Sequence, residues 1–228
     1  MKTDIEILQN NPVFSVLSPA KLELAIQLAV AQKYAKGAVI KAAGEIWPYL
    51  FIIKKGAIRA VKYSLEGRSL VVTTFMEGDI FWGLAFFHPH HQLPVSLVAE
   101  ENTRLLLWSD ERLHPLLIEN GQFSWELSRL MIDKMVRASE ILEEMAFQPV
   151  AGRLAKLLME SSQDAVEGAI FRSLTLDEMA ARIGSTREMV CRFLHRFADS
   201  NIIDITRTEY RIVDQKRLQE MISTSVKG

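Results

Sequence analysis

Three side chains within the segment GSTREMVCRFL at 184–194 could read the edges of base pairs: Arg187, Glu188 and Arg192. A guanidinium donates two parallel hydrogen bonds that match O6 and N7 of guanine, and a carboxylate accepts from the amine of cytosine. Each such contact is worth about 1 to 3 kcal/mol of discrimination between bases. That chemistry needs a helix whose N-terminal turn can enter a major groove, so the surrounding residues must build and aim one.

They have the composition to do so. Thr175 and Glu178 have capping-box spacing, which predicts a helix beginning near Leu176. Met179, Ala180 and Ile183 form its inward side, and Gly184 supplies a sharp turn. Ser185 and Glu188 repeat the capping-box spacing, which predicts a second helix directly afterwards. On that helix Met189, Val190, Phe193 and Leu194 make the buried side, leaving Thr186, Arg187, Glu188 and Arg192 near the exposed N-terminal part. The following NIIDITRTEYRIVD, 201–214, reads as two short strands around a turn at Thr206–Glu209, a wing from which Arg207 or Arg211 could meet phosphate. Thr175, Ser185 and Thr186 are further candidates for backbone contacts. The bland alternative is a capped helical hairpin that merely packs, with Arg187 and Arg192 solvated.

Upstream, AKLELAIQLAVAQ carries helical periodicity from Lys21 to Gln32, after Ser18-Pro19 as a start signal. From Gly37 to about Ser109 short apolar runs alternate with turns at Gly44-Glu45, Gly56, Glu66-Gly67 and Glu77-Gly78-Asp79, which predicts an antiparallel barrel or sandwich. Helical spacing resumes at about Asp110. Leu127, Met131, Met135, Ala138, Leu142 and Met145 then step by three or four residues along one seam, suited to a second copy of the chain. Ala138 would permit close approach, and Lys134 beside the seam must snorkel or find a partner. The competing reading lays this helix on its own domain. Pro149 ends it, and VAGRLAKLLMESS begins another amphipathic helix. The expected organisation is α+β: a sensor barrel with flanking helices over 1–120, a dimerisation helix over 121–147, and a winged helix-turn-helix over 148–228.

Composition narrows the classes. The chain has 228 residues, a formal net charge of -1 and one cysteine, Cys191. A single thiol excludes an intrachain disulfide and any multi-cysteine zinc or iron-sulfur site. Residues 171–228 hold 10 Lys+Arg against 8 Asp+Glu, and residues 1–170 hold 17 against 20, too small an asymmetry to argue nucleic-acid binding by itself. No nucleophile elbow, phosphate loop or metallopeptidase spacing points to an enzyme. Asp177 and Glu178 are adjacent carboxylates, but they belong to a cap. MKTDIEIL lacks the basic-then-apolar order of a secretory signal, and no apolar run spans a membrane, so a cytoplasmic protein is expected.

The order of small barrel, long helix and winged helix-turn-helix resembles the family of the cyclic AMP receptor protein and the fumarate-nitrate reduction regulator. The resemblance covers Pro12 to Asp214 and is firmest in EGDIFWGLAFF (77–87), SEILEEMAFQPVAGRLAKLL (139–158) and GSTREMVCRFL (184–194). It implies a cyclic-nucleotide-binding-like jelly roll that senses a ligand, a homodimer, and paired recognition helices on an inverted repeat of double-stranded DNA. It places Arg187, Glu188 and Arg192 at the base-reading positions of the cyclic AMP receptor branch, implying half-sites similar to TGTGA and TCACA. RNA polymerase is the implied further partner, with activation favoured over repression.

The departures concern the effector. Where the family has a glutamate for the ribose this chain has Gly83, and Pro94 stands near the arginine position, with Val95 beside it where a small hydroxyl residue is usual. Ser139 keeps one adenine-contacting position and its neighbour is Ala138. A buried phosphate without arginine lacks charge compensation, which argues against cyclic AMP or cyclic GMP; the missing cysteines argue against an iron-sulfur cluster. Three readings of the region stay open. Trp82, Gly83, Leu84 and Phe86, with Pro94, Val95 and Met135, Ala138 and Ser139 of the long helix, could line a pocket for a small hydrophobic or aromatic effector, with Trp82 or Trp47 as a wall. His88, His90 or His91 could ligate haem iron or another metal. Or the aromatics fill the core and HPHH is a surface loop. Any effector must favour one dimer arrangement over another, and a change in the helix ending near Phe147 would rotate the readers.

Overall fold

Two runs, YLFII at 49–53 and RLLLW at 104–108, are apolar at nearly every position because both faces of their sheet are covered. The computed structural model describes residues 3–162, 169–171, 174–206 and 209–223. In chain order the elements are helices α1 (Asp4–Gln9) and α2 (Pro19–Leu28), then strands β1 (Val30–Tyr34), β2 (Val39–Lys41), β3 (Tyr49–Lys55), β4 (Ile58–Tyr63), β5 (Ser69–Phe75) and β6 (Ile80–Trp82). A short 3-10 turn at Leu84–Phe86 precedes β7 (Ser96–Ala99), β8 (Thr103–Ser109), α3 (Asp110–Glu119) and α4 (Gly121–Phe147). After these come α5 (Val150–Ser162), β9 (Ala169–Phe171), α6 (Leu176–Ile183), α7 (Arg187–Asp199), β10 (Ile203–Ile205), β11 (Glu209–Ile212) and α8 (Gln215–Ser223). The chain divides into two compact units, residues 1–62 with 72–137 and residues 63–71 with 138–228.

The expected jelly roll consists of two four-stranded sheets, ordered β1-β8-β3-β6 and β2-β7-β4-β5. Alternation along each strand sorts its side chains. Leu50 and Ile52 of β3 and Leu106 and Trp108 of β8 join a core with Phe14, Leu22, Leu113, Phe123 and Leu127 from the loop and helices. Phe51, Ile53, Leu105 and Leu107 point the other way, into the barrel with Trp47, Phe75 and Leu97. The Trp108 indole N–H donates to the Ala25 carbonyl at 2.7 Å, so the one polar atom of that buried ring is satisfied near the end of α2.

Residues 30–32, expected to continue the first helix, instead begin β1. Ala29 leaves α2 at φ -76°, ψ 147°, and Val30 then faces Leu107 across an antiparallel pair. This edge strand is largely exposed, so its own pattern does not mark it; the hydrogen-bonding partners offered by β8 decide its conformation.

In the second unit α5, α6, α7 and α8 enclose Leu154, Leu158, Met179, Val190, Leu194, Phe197 and Leu218, joined by Tyr210 of the wing. Pro149 separates α4 from α5 as expected. The wing gains a third strand, in the order β10-β11-β9, with Phe171 opposite Glu209 and Ala169 opposite Arg211. Among the described residues no helix is long and apolar enough to cross a membrane.

Candidate nucleic-acid interface

Thr175 starts α6 as expected. Its hydroxyl oxygen accepts the Glu178 amide, and the Glu178 carboxylate accepts the Thr175 amide at 2.8 Å, closing the capping box. Gly184 ends α6 in the left-handed region, φ 60°, ψ 49°, donating its amide to the Ala180 carbonyl. A Cβ there would also stand 2.8 Å from Sδ of Met145, the mobile end of a flexible side chain, so it is the backbone conformation that requires glycine.

The second helix begins one residue later than its spacing predicts. Thr186, not Ser185, is the N-cap, and its hydroxyl oxygen accepts the Met189 amide at 3.3 Å. Glu188 is therefore the second helical residue and closes no box with Ser185. Its carboxylate interacts instead with its own backbone amide and with the Thr186 hydroxyl, which together hold it below the ordinary glutamate range. Glu188 is accordingly ionised at neutral pH, a pure hydrogen-bond acceptor.

Helical geometry does the rest. Val190, Leu194 and Phe197 are buried in the unit's core, while Arg187, Glu188 and Arg192 are exposed. Glu188 and Arg192, four residues apart, lie one above the other on the same face. Arg187 precedes them at the helix start, 3.6 Å from the exposed Asp177 carboxylate of α6. The Arg192 guanidinium donates to Sδ of Met189, one turn back. Of the candidate backbone contacts, Thr175 is exposed but engaged in its cap, Ser185 and Thr186 are half-buried, and Arg211 is exposed at 3.4 Å from Glu209. Arg207 lies outside the described residues.

Within the first unit the candidate effector residues do not share one surface. On β6, Ile80 and Trp82 face the helical core and Phe81 faces the barrel interior. Phe86 joins the same helical core as Trp82, whereas Val95 and Trp47 belong to the barrel interior, so Trp47 could be a wall of that interior and Trp82 could not. Leu84 and Pro94 are exposed, as are Met135, Ala138 and Ser139 on α4. Gly83 is buried, and a Cβ placed on it would fall 1.8 Å from the Trp47 carbonyl oxygen, so backbone occupies the space into which a glutamate side chain would extend. The buried polar or charged side chains among the described residues are Asn11, Ser96 and Thr103, none of them a cation that could balance a phosphate. The residues present do not fit a cyclic nucleotide.

His88, His90 and His91 are all exposed, with the rings of His88 and His91 3.8 Å apart. Among the described residues no three His, Cys, Asp or Glu side chains are grouped to hold a metal ion.

Helix α4 carries two apolar stripes, where the sequence suggests one. Leu127 is 3% exposed within its own unit's core, so it has no surface to offer a second chain. Met131 and Met145 are half-buried, and Met145 packs against the Gly184 turn. Met135 and Leu142, by contrast, are 66% and 71% exposed, and Trp125, Ile132 and Val136 are exposed near them in sequence. Trp125 and Ile132 escaped the sequence reading although their seven-residue spacing is a usable heptad signal. Lys134 finds its partner in the face of Phe75, 5.4 Å from the ring centroid.

Comparison with known proteins agrees with this architecture. The cyclic nucleotide-binding domain family matches residues 31–120, and the Crp-like helix-turn-helix domain family matches residues 152–221. A CRP-like cAMP-activated global transcriptional regulator of Mycobacterium tuberculosis is 26% identical over 218 residues, covering 93% of this chain and 97% of that protein. The cyclic AMP receptor protein of Thermus thermophilus is 23% identical over 214 residues, covering 94% and 98%. Among solved structures, a Crp/Fnr-family transcriptional regulator from Eubacterium rectale superposes with a TM-score of 0.79 at 22% identity, over 93% of this chain and 98% of that one. The c-di-GMP responsive regulator CLP of Xanthomonas campestris superposes at 0.76 with 16% identity, over 86% and 99%. Both domain matches, in this order along one chain, show that the protein belongs to the Crp/Fnr family of transcription regulators.

Proposed function

We propose that the chain works as a homodimer that reads an inverted repeat of TGTGA-like half-sites through Arg187, Glu188 and Arg192. One observation carries this reading. The three side chains that match base edges are exposed on the first two turns of α7, whose opposite face is buried. Thr186 and Ser185 at the start of α7, with Arg211 of the wing, supply backbone contacts that set the register. The exposed α4 stripe, Trp125, Ile132, Met135 and Leu142, is the dimerisation seam, replacing the one phased on Leu127. Two copies joined there would present half-sites one helical turn apart, about 34 to 36 Å.

The family supplies an effector role for the barrel, and the M. tuberculosis and T. thermophilus relatives are named for cyclic AMP. Gly83 against the Trp47 carbonyl favours a different arrangement here, with DNA binding controlled by something other than a cyclic nucleotide. RNA polymerase is the partner through which bound protein would activate, and the cytoplasm the place where it would act. Selection of bound duplexes from a random pool, repeated with and without cyclic AMP, tests both parts. A palindromic TGTGA-like motif recovered equally in both arms supports them. Recovery of no motif removes the base-reading assignment, and recovery only with cyclic AMP removes the effector reading.

A further inference from the structure

Arg153, near the start of α5, is half-buried and tied to the turn that launches α7. Its Nε–H donates to the Ile183 carbonyl at 2.7 Å, one Nη donates to the Gln148 carbonyl at 2.5 Å, and the other approaches the Gly184 carbonyl at 3.4 Å. Ile183 is the last residue of α6, Gly184 is the turn of the helix-turn-helix, and Gln148 lies directly after α4. Carbonyls at helix ends have no intrahelical partner. A single planar fork therefore serves the ends of two helices at once, which three fixed donor directions allow and one ammonium does not. Burial pushes the guanidinium down from its ordinary value, and Glu144 opposes the shift. The neighbourhood is tight as well. A Cβ on Gly152 would lie 2.8 Å from the Met221 carbonyl oxygen, and the Gln148 amide nitrogen donates to the Ile222 carbonyl at 2.9 Å.

We infer that Arg153 is a positioning residue for DNA reading: it fixes the Ile183–Gly184 turn to the end of α4 and so sets the depth and pitch at which Arg187, Glu188 and Arg192 meet the bases. Arg153 touches no DNA in this role. The inference rests on the reading that α7 contacts base edges, and it adds a link by which a change at the α4–α5 junction reaches α7 without passing through the apolar core. Because the fork acts on the whole start of the helix, its loss relaxes all α7-read positions together. Loss of one base contact relaxes one position.

The test compares wild type, Arg153→Lys, Arg153→Gln and Arg187→Ala as full-length proteins, with affinities normalised to the active fraction. For each, the ratio of specific to nonspecific duplex affinity, the salt slope and the melting temperature are measured. Both Arg153 variants are expected to lose discrimination by about tenfold, the size of one base contact, spread over every α7-read base pair. Their salt slopes stay at the wild-type value because no phosphate contact is lost. Arg153→Lys, which keeps the charge, recovers melting temperature and not discrimination. A merely structural role would show lowered melting temperature with wild-type discrimination in the active fraction, or full recovery of both by lysine, and either result overturns the inference. If Arg187→Ala relaxes one position while the Arg153 variants match wild type, only the Arg153 inference fails. If wild type itself discriminates no sequence, base reading fails and the positioning role falls with it.

Discussion

Glu188 shows how a one-residue shift changes a side chain's work. Had Ser185 capped α7, the Glu188 carboxylate would be committed to the box; with Thr186 as cap it sits at the second helical position, exposed. Its depressed pKa means that the charged form is favoured by folding, so any contribution is present above the ordinary glutamate value and is lost as pH falls through the lower folded value. Specific DNA affinity should thus hold while pH is lowered to the ordinary carboxylate range, and Glu188→Gln should remove the later acid-dependent loss at one base position. Binding titrations across pH on matched and mismatched duplexes measure this. At Arg187, replacement by alanine should cost about 1 to 3 kcal/mol of specific affinity and relax a single base position. A uniform loss on all sequences would make it a phosphate contact. Gly184→Ala meets both a left-handed backbone and Sδ of Met145, and should lower stability by about 1 to 2 kcal/mol or more in thermal melts.

Helix α4 explains where local pattern misleads. Its first turns bury Phe123 and Leu127 against their own unit, while Trp125, Ile132, Met135 and Leu142 stay exposed on another side. Two stripes on one helix produce a spacing that can be threaded as one seam, and burial alone separates them. Leu127→Ala should therefore destabilise the first unit by about 2 to 5 kcal/mol and leave self-association intact. Ile132→Glu or Met135→Glu should give monomers with unchanged melting of each unit, as sedimentation would show. Elsewhere the pattern was sufficient. The Thr175–Glu178 box, the left-handed Gly184 and the break at Pro149 are local chemistry and are legible from residue type. The apolar runs of β3 and β8 are legible as buried strands, but which face each residue serves is fixed only by pairing and layering. The start of β1 and the division of Trp82 from Val95 across the sheet depend on distant partners, so no window of sequence contains them.

In the proposed dimer a helix-turn-helix reader is joined to a barrel in which the Trp47 carbonyl leaves no room for a side chain at Gly83. Relatives carrying the name of cyclic AMP align over 93% of the chain, yet Gly83 faces the Trp47 carbonyl and the fully buried polar or charged side chains among the described residues include no cation. Calorimetric titration with cyclic AMP should give no binding heat, and saturating cyclic AMP should leave DNA affinity unchanged; a stoichiometric isotherm would reverse that conclusion. Sequence selection from a random duplex pool by the purified wild-type protein, with Arg187→Ala in parallel, decides whether α7 reads base pairs. The expected outcome is an inverted repeat with half-sites one turn apart, and selective loss of preference at one symmetric pair of positions in the variant. An enriched pool without symmetry, or identical motifs from both proteins, would contradict it.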